Sequence, residues 1–292
     1  MPQSQSDIDT TCKICDSKDL DIFAHTARCG SCGVLLYYPY PKSDGQLISD
    51  GEGKEWPVDK MLDWYSESAA LNHSNFTAML QFATSEDDRN KKLNVLDYGG
   101  GGGQFALVCK SHFPESTVHI TDISDASLLD EWRPMNVQIP FADLDTDKRT
   151  FDIIFLNDVF EHVSDPVNVL RQLAGKLRPN GRIFIDTPKQ FWLYPVAKVV
   201  SKGLYTKILA GTVSVYHLQI WSKMAFETVV RKAGLKISKY REISEYTMPA
   251  KYYLNGMGIT NPVLRALGTV FYRNARHIAR NKIMCVLTAP SR

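Results

Sequence analysis

Hydrophobic positions along this chain alternate between two periodicities. Short apolar runs typical of buried strands occur at 93–98, 117–122, 151–156 and 182–186. Between them, apolar residues recur every three or four positions at 104–112 and 166–177, as on one face of a helix. Alternation of this kind predicts a parallel sheet with helices on both faces, that is, a Rossmann-like α/β domain.

Weaker patterns extend this prediction in both directions along the chain. Apolar residues at helical spacing predict a long helix over 58–82, and β-rich runs predict strands at 34–38, 236–241 and 282–288. Turn and capping residues mark several boundaries. They predict a short capped helix that ends near 129, a helix that begins at Pro166 behind Asp165, a turn at 179–181, and a helix capped by Ser222.

Composition limits the class of protein. The chain has 292 residues, 44% of them hydrophobic, and a net charge of +2, which suits a folded protein and argues against an obligate nucleic-acid binder. No apolar run approaches the roughly 18–20 residues of a membrane span. The polar N-terminus does not resemble a secretory signal, so we expect a cytoplasmic location.

Four of the six cysteines lie within the first 32 residues. Cys12 and Cys15 form one C-x2-C pair, and Cys29 and Cys32 form a second, with thirteen residues between the two pairs. Two such pairs supply the four thiolates of a structural zinc site. Iron in the same shell is an alternative that the spacing leaves open, whereas two disulfides fit poorly with a reducing compartment.

A glycine-rich loop and three acidic residues point to a nucleoside ligand. Asp97 ends the first sheet strand immediately before the loop 99–103, and Asp122 ends the next strand. Asp143 is expected where the following strand finishes. The loop also fits a dinucleotide fingerprint, but an acid beside the loop would repel a pyrophosphate and attract an ammonium group. Three acids at strand ends therefore favour a cationic nucleoside such as S-adenosylmethionine.

These segments resemble class I S-adenosylmethionine-dependent methyltransferases of the ubiquinone-biosynthesis-like group. The resemblance rests on the stretches 96–103, Asp122, 142–144, 151–154, 157–163, 165–166, 177–181, 217–222 and 233–235. An N-terminal four-cysteine ribbon also recurs in this group, often in enzymes that modify sugars or natural products. The implied fold is a seven-stranded, mostly parallel sheet with an antiparallel last strand and helices on both faces.

The resemblance also implies roles for individual residues. Asp97 and the glycines Gly99, Gly101 and Gly103 would hold the methionine moiety, and Asp122 the ribose. Ile123 would contact one face of the adenine, Asp143 and Leu144 its amino group and ring, and Asn157 would lie beside the sulfonium. The cofactor would be S-adenosylmethionine, with S-adenosylhomocysteine as the product. One departure is Gly100, where a small non-glycine residue is common.

The acceptor side carries two candidate catalytic histidines. His162 follows a sheet strand, and His217 precedes the helix that Ser222 caps. Either could remove the proton of a hydroxyl acceptor. We expect insertions near 189–216 and 245–281 to cover the acceptor. The domain organisation predicted from these patterns is a zinc ribbon at 1–42, a linker at 43–57 and a methyltransferase domain at 58–292.

Three functional classes are compatible with the sequence. The favoured one is a small-molecule methyltransferase, most simply an O-methyltransferase of a sugar, natural product or glycan precursor. The second is an RNA methyltransferase that uses the ribbon and a basic cluster of Arg265, Arg273, Arg276, Arg280 and Lys282. The third is a non-catalytic scaffold that binds the cofactor. The sequence does not name the acceptor or the oligomeric state.

Overall fold

A computed structural model of the chain describes residues 11–23, 25–41, 58–88, 91–123, 137–190, 217–245, 249–256, 258–278 and 280–290. Three expectations lie outside these ranges. They are the linker at 43–57, the short helix that ends near 129, and most of the insertion at 189–216.

The N-terminal ribbon is a small antiparallel sheet. Its strands are β1 (Leu20–Phe23), β2 (Thr26–Cys29) and β3 (Leu35–Tyr37). Strand β9 (Gln219–Ile220), which is far away in sequence, pairs with β3 as the fourth strand of this sheet. The ribbon is therefore connected by backbone hydrogen bonds to the segment that follows His217.

The main sheet has seven strands in the order β10-β11-β8-β7-β4-β5-β6. Their bounds are β4 (Asn94–Tyr98), β5 (Thr117–Thr121), β6 (Val137–Gln138), β7 (Phe151–Asn157), β8 (Leu177–Pro188), β10 (Lys236–Ile243) and β11 (Lys282–Thr288). Strands β4 to β8 pair in parallel, and β11 runs antiparallel to both of its neighbours. This is the sheet that the sequence predicted, including the antiparallel last strand.

Six α-helices lie in the described part of the chain. They are α1 (Val58–Ala83), α2 (Gln104–His112), α3 (Pro166–Gly175), α4 (Lys223–Lys232), α5 (Ala250–Gly256) and α6 (Pro262–Ile278). Two begin at the predicted caps. The Asp165 carboxylate accepts the N–H of Asn168 at 3.0 Å, and the Ser222 hydroxyl accepts the N–H of Ala225 at 3.0 Å.

Buried apolar side chains form two clusters. Phe105 and Phe155 belong to one cluster, in which the Phe76 ring of α1 packs edge-on against Phe105. The second cluster contains Phe160 and Trp221 and continues without interruption into the ribbon through residues such as Val34. The ribbon thus shares its hydrophobic core with the main domain. Within the ranges described, no helix combines the length and the apolar character needed to span a membrane.

One local expectation is refined and one was wrong. The predicted turn at 179–181 is a bulge within β8: Asn180 has a left-handed backbone (φ 64°), and the pairing with β7 skips from Leu177 to Arg182. Asp143 does not end a strand: β6 stops at Gln138, and Asp143 lies in a 3-10 turn (Phe141–Asp143).

Candidate functional site

The glycine loop lies between the end of β4 and the start of α2, at the carboxyl edge of the parallel strands. Gly99, Gly101 and Gly103 all have positive φ angles, at 74°, 51° and 91°. That conformation disfavours any residue with a Cβ. The two intervening glycines are needed for space: a Cβ on Gly100 would lie 2.7 Å from the Asp97 carboxylate. Backbone conformation and close packing thus explain why the loop consists of glycines.

Asp97 is a buried carboxyl group at the base of this loop. Its side chain is 1% exposed, and its Oδ2 has no hydrogen-bond partner among the described residues. Burial, together with the nearby charge of Asp122, raises the pKa of Asp97 to about 8. A buried carboxyl group gains most from a cationic partner, and the α-ammonium group of S-adenosylmethionine is one.

Asp122 and Ile123 follow directly on β5. One oxygen of the Asp122 carboxylate accepts the N–H of Gly101 at 2.9 Å, which joins the predicted ribose ligand to the loop. Ile123 is 48% exposed, an unusual position for a large aliphatic side chain and one that suits an aromatic ring. The carboxyl ends of the paired strands β4 and β5 therefore place Asp122 close to Asp97.

The remaining predicted cofactor residues lie along the same edge. Leu144 is 7% exposed and belongs to the core, whereas Asp143 is exposed. The ring centroids of Tyr98 and Phe141 lie 6.1 Å apart, and the two rings are tilted relative to each other. Asn157 ends β7, and both polar atoms of its side-chain amide are buried without a partner inside the described structure. Such unpaired atoms are expected where a ligand completes the hydrogen bonding.

Tyr65 of α1 is a site residue that sequence analysis missed. Its hydroxyl accepts the N–H of Gly102 at 2.9 Å. Burial and the charges of Asp122 and Asp97 raise the pKa of the Tyr65 phenol, although the bond to Gly102 opposes this. In the sequence Tyr65 reads only as one more apolar position of a helix.

The two candidate histidines come together in the described structure. The rings of His162 and His217 are 5.0 Å apart between centroids. Glu161 lies beside them, with Oε1 3.8 Å from His162 Nε2, while its Oε2 accepts the hydroxyl of Thr187 at 2.9 Å. One ring nitrogen or carboxylate oxygen of each of these three residues lies within 4.8 Å of the others. The arrangement can pass a proton among its members.

Glu161 is the second residue of the site that sequence analysis missed. Its side chain is 1% exposed. Burial, followed by the charge of Asp158, raises the pKa of Glu161 to about 8. A carboxyl group with this pKa exchanges protons near neutral pH. Only its position immediately before a candidate histidine could have drawn attention to it.

A buried ammonium group lies among three carboxyl groups near the end of β7. Lys282 Nζ lies 2.7 Å from Asp158, 2.5 Å from Asp186 and 2.8 Å from Glu245. Burial alone would lower the pKa of Lys282, but these three carboxylates raise it well above its ordinary value. The sequence groups Lys282 with four arginines in a basic cluster. The structure corrects this, because the side chain is 7% exposed and fully engaged with acids.

The four N-terminal cysteines converge on one point. Cys12 Sγ lies 3.7 Å from Cys32 Sγ, and Cys15 Sγ lies 3.5 Å from Cys29 Sγ. All four sulfur atoms are within 4.8 Å of one another, and no disulfide joins them. A tetrahedral zinc with Zn–S bonds of about 2.3 Å has sulfur atoms about 3.8 Å apart, so this donor set fits the metal.

Comparisons with known proteins agree with this geometry. The model of a family described as "Methyltransferase domain" matches residues 65–240, more than half of the chain. The chain is 26% identical over 165 residues to the ubiquinone biosynthesis O-methyltransferase of Coxiella burnetii, an alignment that covers 53% of this chain and 69% of that protein.

Solved structures show the same fold. A chain from the complex between the Haloferax volcanii Trm112 methyltransferase activator and a methyltransferase superposes with a TM-score of 0.55 at 14% identity, covering 85% of this chain and 97% of that one. The plantazolicin methyltransferase BamL, solved with a desmethylPZN analogue and SAH, gives 0.54 at 13% identity, covering 86% and 97%.

Proposed function

The chain belongs to the methyltransferase domain family and is an S-adenosylmethionine-dependent methyltransferase, and from that premise we propose that it methylates a hydroxyl group of a small molecule. The acceptor class is a sugar, a natural product or a glycan precursor. The observation that carries this proposal is the group of Glu161, His162 and His217 at the carboxyl edge of the sheet, beside Asn157. A hydroxyl acceptor is the kind that requires a base.

The residues along the loop edge would hold the cofactor. The carboxyl group of Asp97 would accept hydrogen bonds from the ammonium group, and the carboxylate of Asp122 would accept them from the ribose hydroxyls. The amide of Asn157 would lie near the sulfonium. Ile123, Asp143 and Leu144 would surround the adenine, with Tyr98 and Phe141 nearby. When bound, S-adenosylmethionine supplies an electrophilic methyl group. The chain contributes orientation and the exclusion of water around it.

His217 is proposed as the general base. Its imidazole would take the proton that the acceptor hydroxyl loses on methylation, and S-adenosylhomocysteine would be the leaving group. His162 and Glu161 lie close enough to orient the pair and to pass the proton onward. The positions of these groups at the edge where α/β sheets bind ligands support the assignment.

RNA is a less suitable acceptor for this architecture. Phosphate binding depends on exposed basic side chains. Lys282 of the suspected basic cluster is buried among acids, and one face of the ribbon packs into the hydrophobic core. We therefore propose that the ribbon binds a structural zinc ion and does not bind nucleic acid.

A substrate screen with matched variants tests the proposal. Purified enzyme and methyl-labelled S-adenosylmethionine are incubated with hydroxylated sugars, phenols and glycan precursors, and with RNA at several salt concentrations. We expect label in a small hydroxylated compound, and His217→Ala should lower that turnover by about 10²–10⁴-fold, the usual contribution of a general base.

Two controls make the result specific. His73→Ala, at an exposed position of α1, should leave turnover unchanged. Binding of S-adenosylhomocysteine to His217→Ala, measured by calorimetry, should match that of the parent. Labelling of RNA alone would overturn the acceptor class, and full activity of His217→Ala would overturn the base assignment.

A further inference from the structure

The strand that follows His217 is held by the ribbon. In β9, Gln219 pairs with Leu36 and Ile220 pairs with Leu35 of β3. The N–H of Tyr37 donates to the carbonyl of Leu218 at 2.8 Å. The backbone next to the candidate base is therefore fixed by ribbon residues about 180 positions earlier in the sequence.

The same segment is tied to the turn that carries the other members of the acceptor site. The N–H groups of Leu218 and Gln219 both donate to the carbonyl of Glu161, at 2.9 and 3.3 Å. The side chain of Gln219 is fully buried, and its amide nitrogen donates to the carbonyls of Phe160 and Val163 at 2.8 and 2.9 Å. One residue thus connects β9 to both sides of the Glu161–His162 pair.

The oxygen of the Gln219 amide is bonded to a residue on the ribbon side. Gln219 Oε1 accepts a hydrogen bond from the hydroxyl of Tyr40, which follows β3. The nitrogen and the oxygen of the buried amide are thus both hydrogen-bonded, the nitrogen to the 160–163 turn and the oxygen to Tyr40. A fully satisfied buried amide specifies one arrangement, because any shift would leave several polar groups unpaired.

The second cysteine pair is anchored to the same segment. The hydroxyl of Ser222 donates to the carbonyl of Cys32 at 2.5 Å, and Ser222 is also the N-cap of α4. The amide of Gln190 donates to the carbonyl of Gly33 and to that of Ile220. The turn 29–33, which carries the second cysteine pair, therefore contacts the 217–222 segment directly at Ser222 and through Gln190 at Ile220.

We propose that the four-cysteine ribbon is a working part of the acceptor site, with Gln219 as the positioning residue that sets His217 against Glu161 and His162. The inference rests on the proposed function for the role of His217, whereas the mechanical connection rests on the contacts above. Metal bound to the cysteines would make the turn 29–33 rigid. That turn and β3 fix the position of β9, and β9 fixes the position of His217.

This arrangement separates two halves of the site. The loop edge that would hold the cofactor is braced by Thr121, Asp122 and Tyr65, which accept the hydrogen bonds of the backbone N–H groups of Gly99 to Gly102. The acceptor side is braced by the ribbon. Loss of the ribbon metal should therefore disturb the acceptor side first and leave cofactor binding largely intact.

Hydrogen exchange on the full chain tests the connection. Metal-loaded protein is compared with protein stripped by a chelator under reducing conditions, both with bound S-adenosylhomocysteine. We expect amides of 26–37, 217–222 and 159–163 to exchange at least about tenfold faster after stripping, while those of 94–98 and 117–121 change little. Unchanged protection of 217–222 in a ribbon that has lost its own protection would overturn the proposal.

A variant tests Gln219 without removing the metal. Gln219→Met keeps the length of the side chain and removes its hydrogen bonds, and Gln172→Met, at an exposed position of α3, is the matched control. We expect the imidazole NMR signals of both His217 and His162 to shift in Gln219→Met and to stay in place in Gln172→Met. Calorimetry with S-adenosylhomocysteine should give affinities within about twofold of the parent.

The outcomes can be told apart from failure of the proposed function. Histidine signals that are unchanged in folded, metal-loaded Gln219→Met would overturn the positioning role. If instead the signals and the exchange respond as expected while His217→Ala keeps full turnover, the connection is supported and the base assignment under the proposed function is wrong.

Discussion

The hydroxyl of Tyr65 accepts a hydrogen bond from the backbone N–H of Gly102 at 2.9 Å, which fastens helix α1 onto the glycine loop. The ring of Tyr65 also fills the space beside Gly102, where a Cβ would lie 2.6 Å from it. Helix α1 therefore forms one wall of the loop, and the conformation of the loop depends on a residue almost 40 positions earlier.

Removal of the Tyr65 hydroxyl should weaken cofactor binding. In Tyr65→Phe the ring remains, but the N–H of Gly102 loses its acceptor, so we expect S-adenosylhomocysteine to bind about 0.5–1.5 kcal/mol more weakly. Isothermal calorimetry measures the change. Tyr272→Phe, in α6, should bind like the parent, and equal affinities in both variants would contradict a role for Tyr65.

The cofactor-free protein should lose stability as the pH rises. The pKa of Asp97 is about 8 in the folded chain, against about 3.9 for an unfolded aspartate. Between these values the folded state binds more protons than the unfolded state, so the free energy of unfolding falls with increasing pH.

The variant Asp97→Asn isolates this contribution, because its side chain stays neutral. Its melting temperature should exceed that of the parent at pH 8 and above, with a much smaller difference near pH 4. It should also fail to bind S-adenosylmethionine. Scanning calorimetry across the pH range provides the check, and parallel pH profiles for the two proteins would contradict the buried, protonated state of Asp97.

Loss of the Asp122 carboxylate should affect the cofactor and the loop together. In Asp122→Ala the N–H of Gly101 loses its 2.9 Å acceptor, and the ribose would lose its proposed partner. We expect affinity for S-adenosylmethionine to fall by about 1–3 kcal/mol, the cost of leaving buried groups unpaired. Asp145→Ala, at an exposed position, is the control. Equal affinities of Asp122→Ala and the parent would place the ribose elsewhere.

The freshly purified, reduced protein should contain one equivalent of zinc. The sulfur distances of 3.5 and 3.7 Å match the edges of a zinc tetrahedron. Cys32→Ser should lose the metal, and Cys109→Ser, which alters a cysteine of the main core, should retain it. Elemental analysis decides the matter, and finding iron or no metal in the parent would refute the assignment to zinc.

Sequence alone was sufficient for the sheet, the glycine loop and the cysteine cluster. Each is encoded by neighbours in the chain: apolar runs of strand length, alternate glycines that require positive φ, and pairs of cysteines separated by two residues. Parallel strands place their carboxyl ends at one edge, and for that reason the sequence pattern by itself groups Asp97 and Asp122 at one site, whereas Asn157 was implied only by the family resemblance.

Tertiary structure alone decided how these parts depend on one another. Tyr65 reaches Gly102, Lys282 reaches Asp158 and Asp186, and Gln219 joins Tyr40 to the turn beside His162. Each contact links residues far apart in sequence, and each residue is locally ordinary: a tyrosine in a helix, a lysine in a strand and a glutamine in a two-residue strand. Their roles arise from burial, because a buried polar group must find its partner wherever the folded chain brings one.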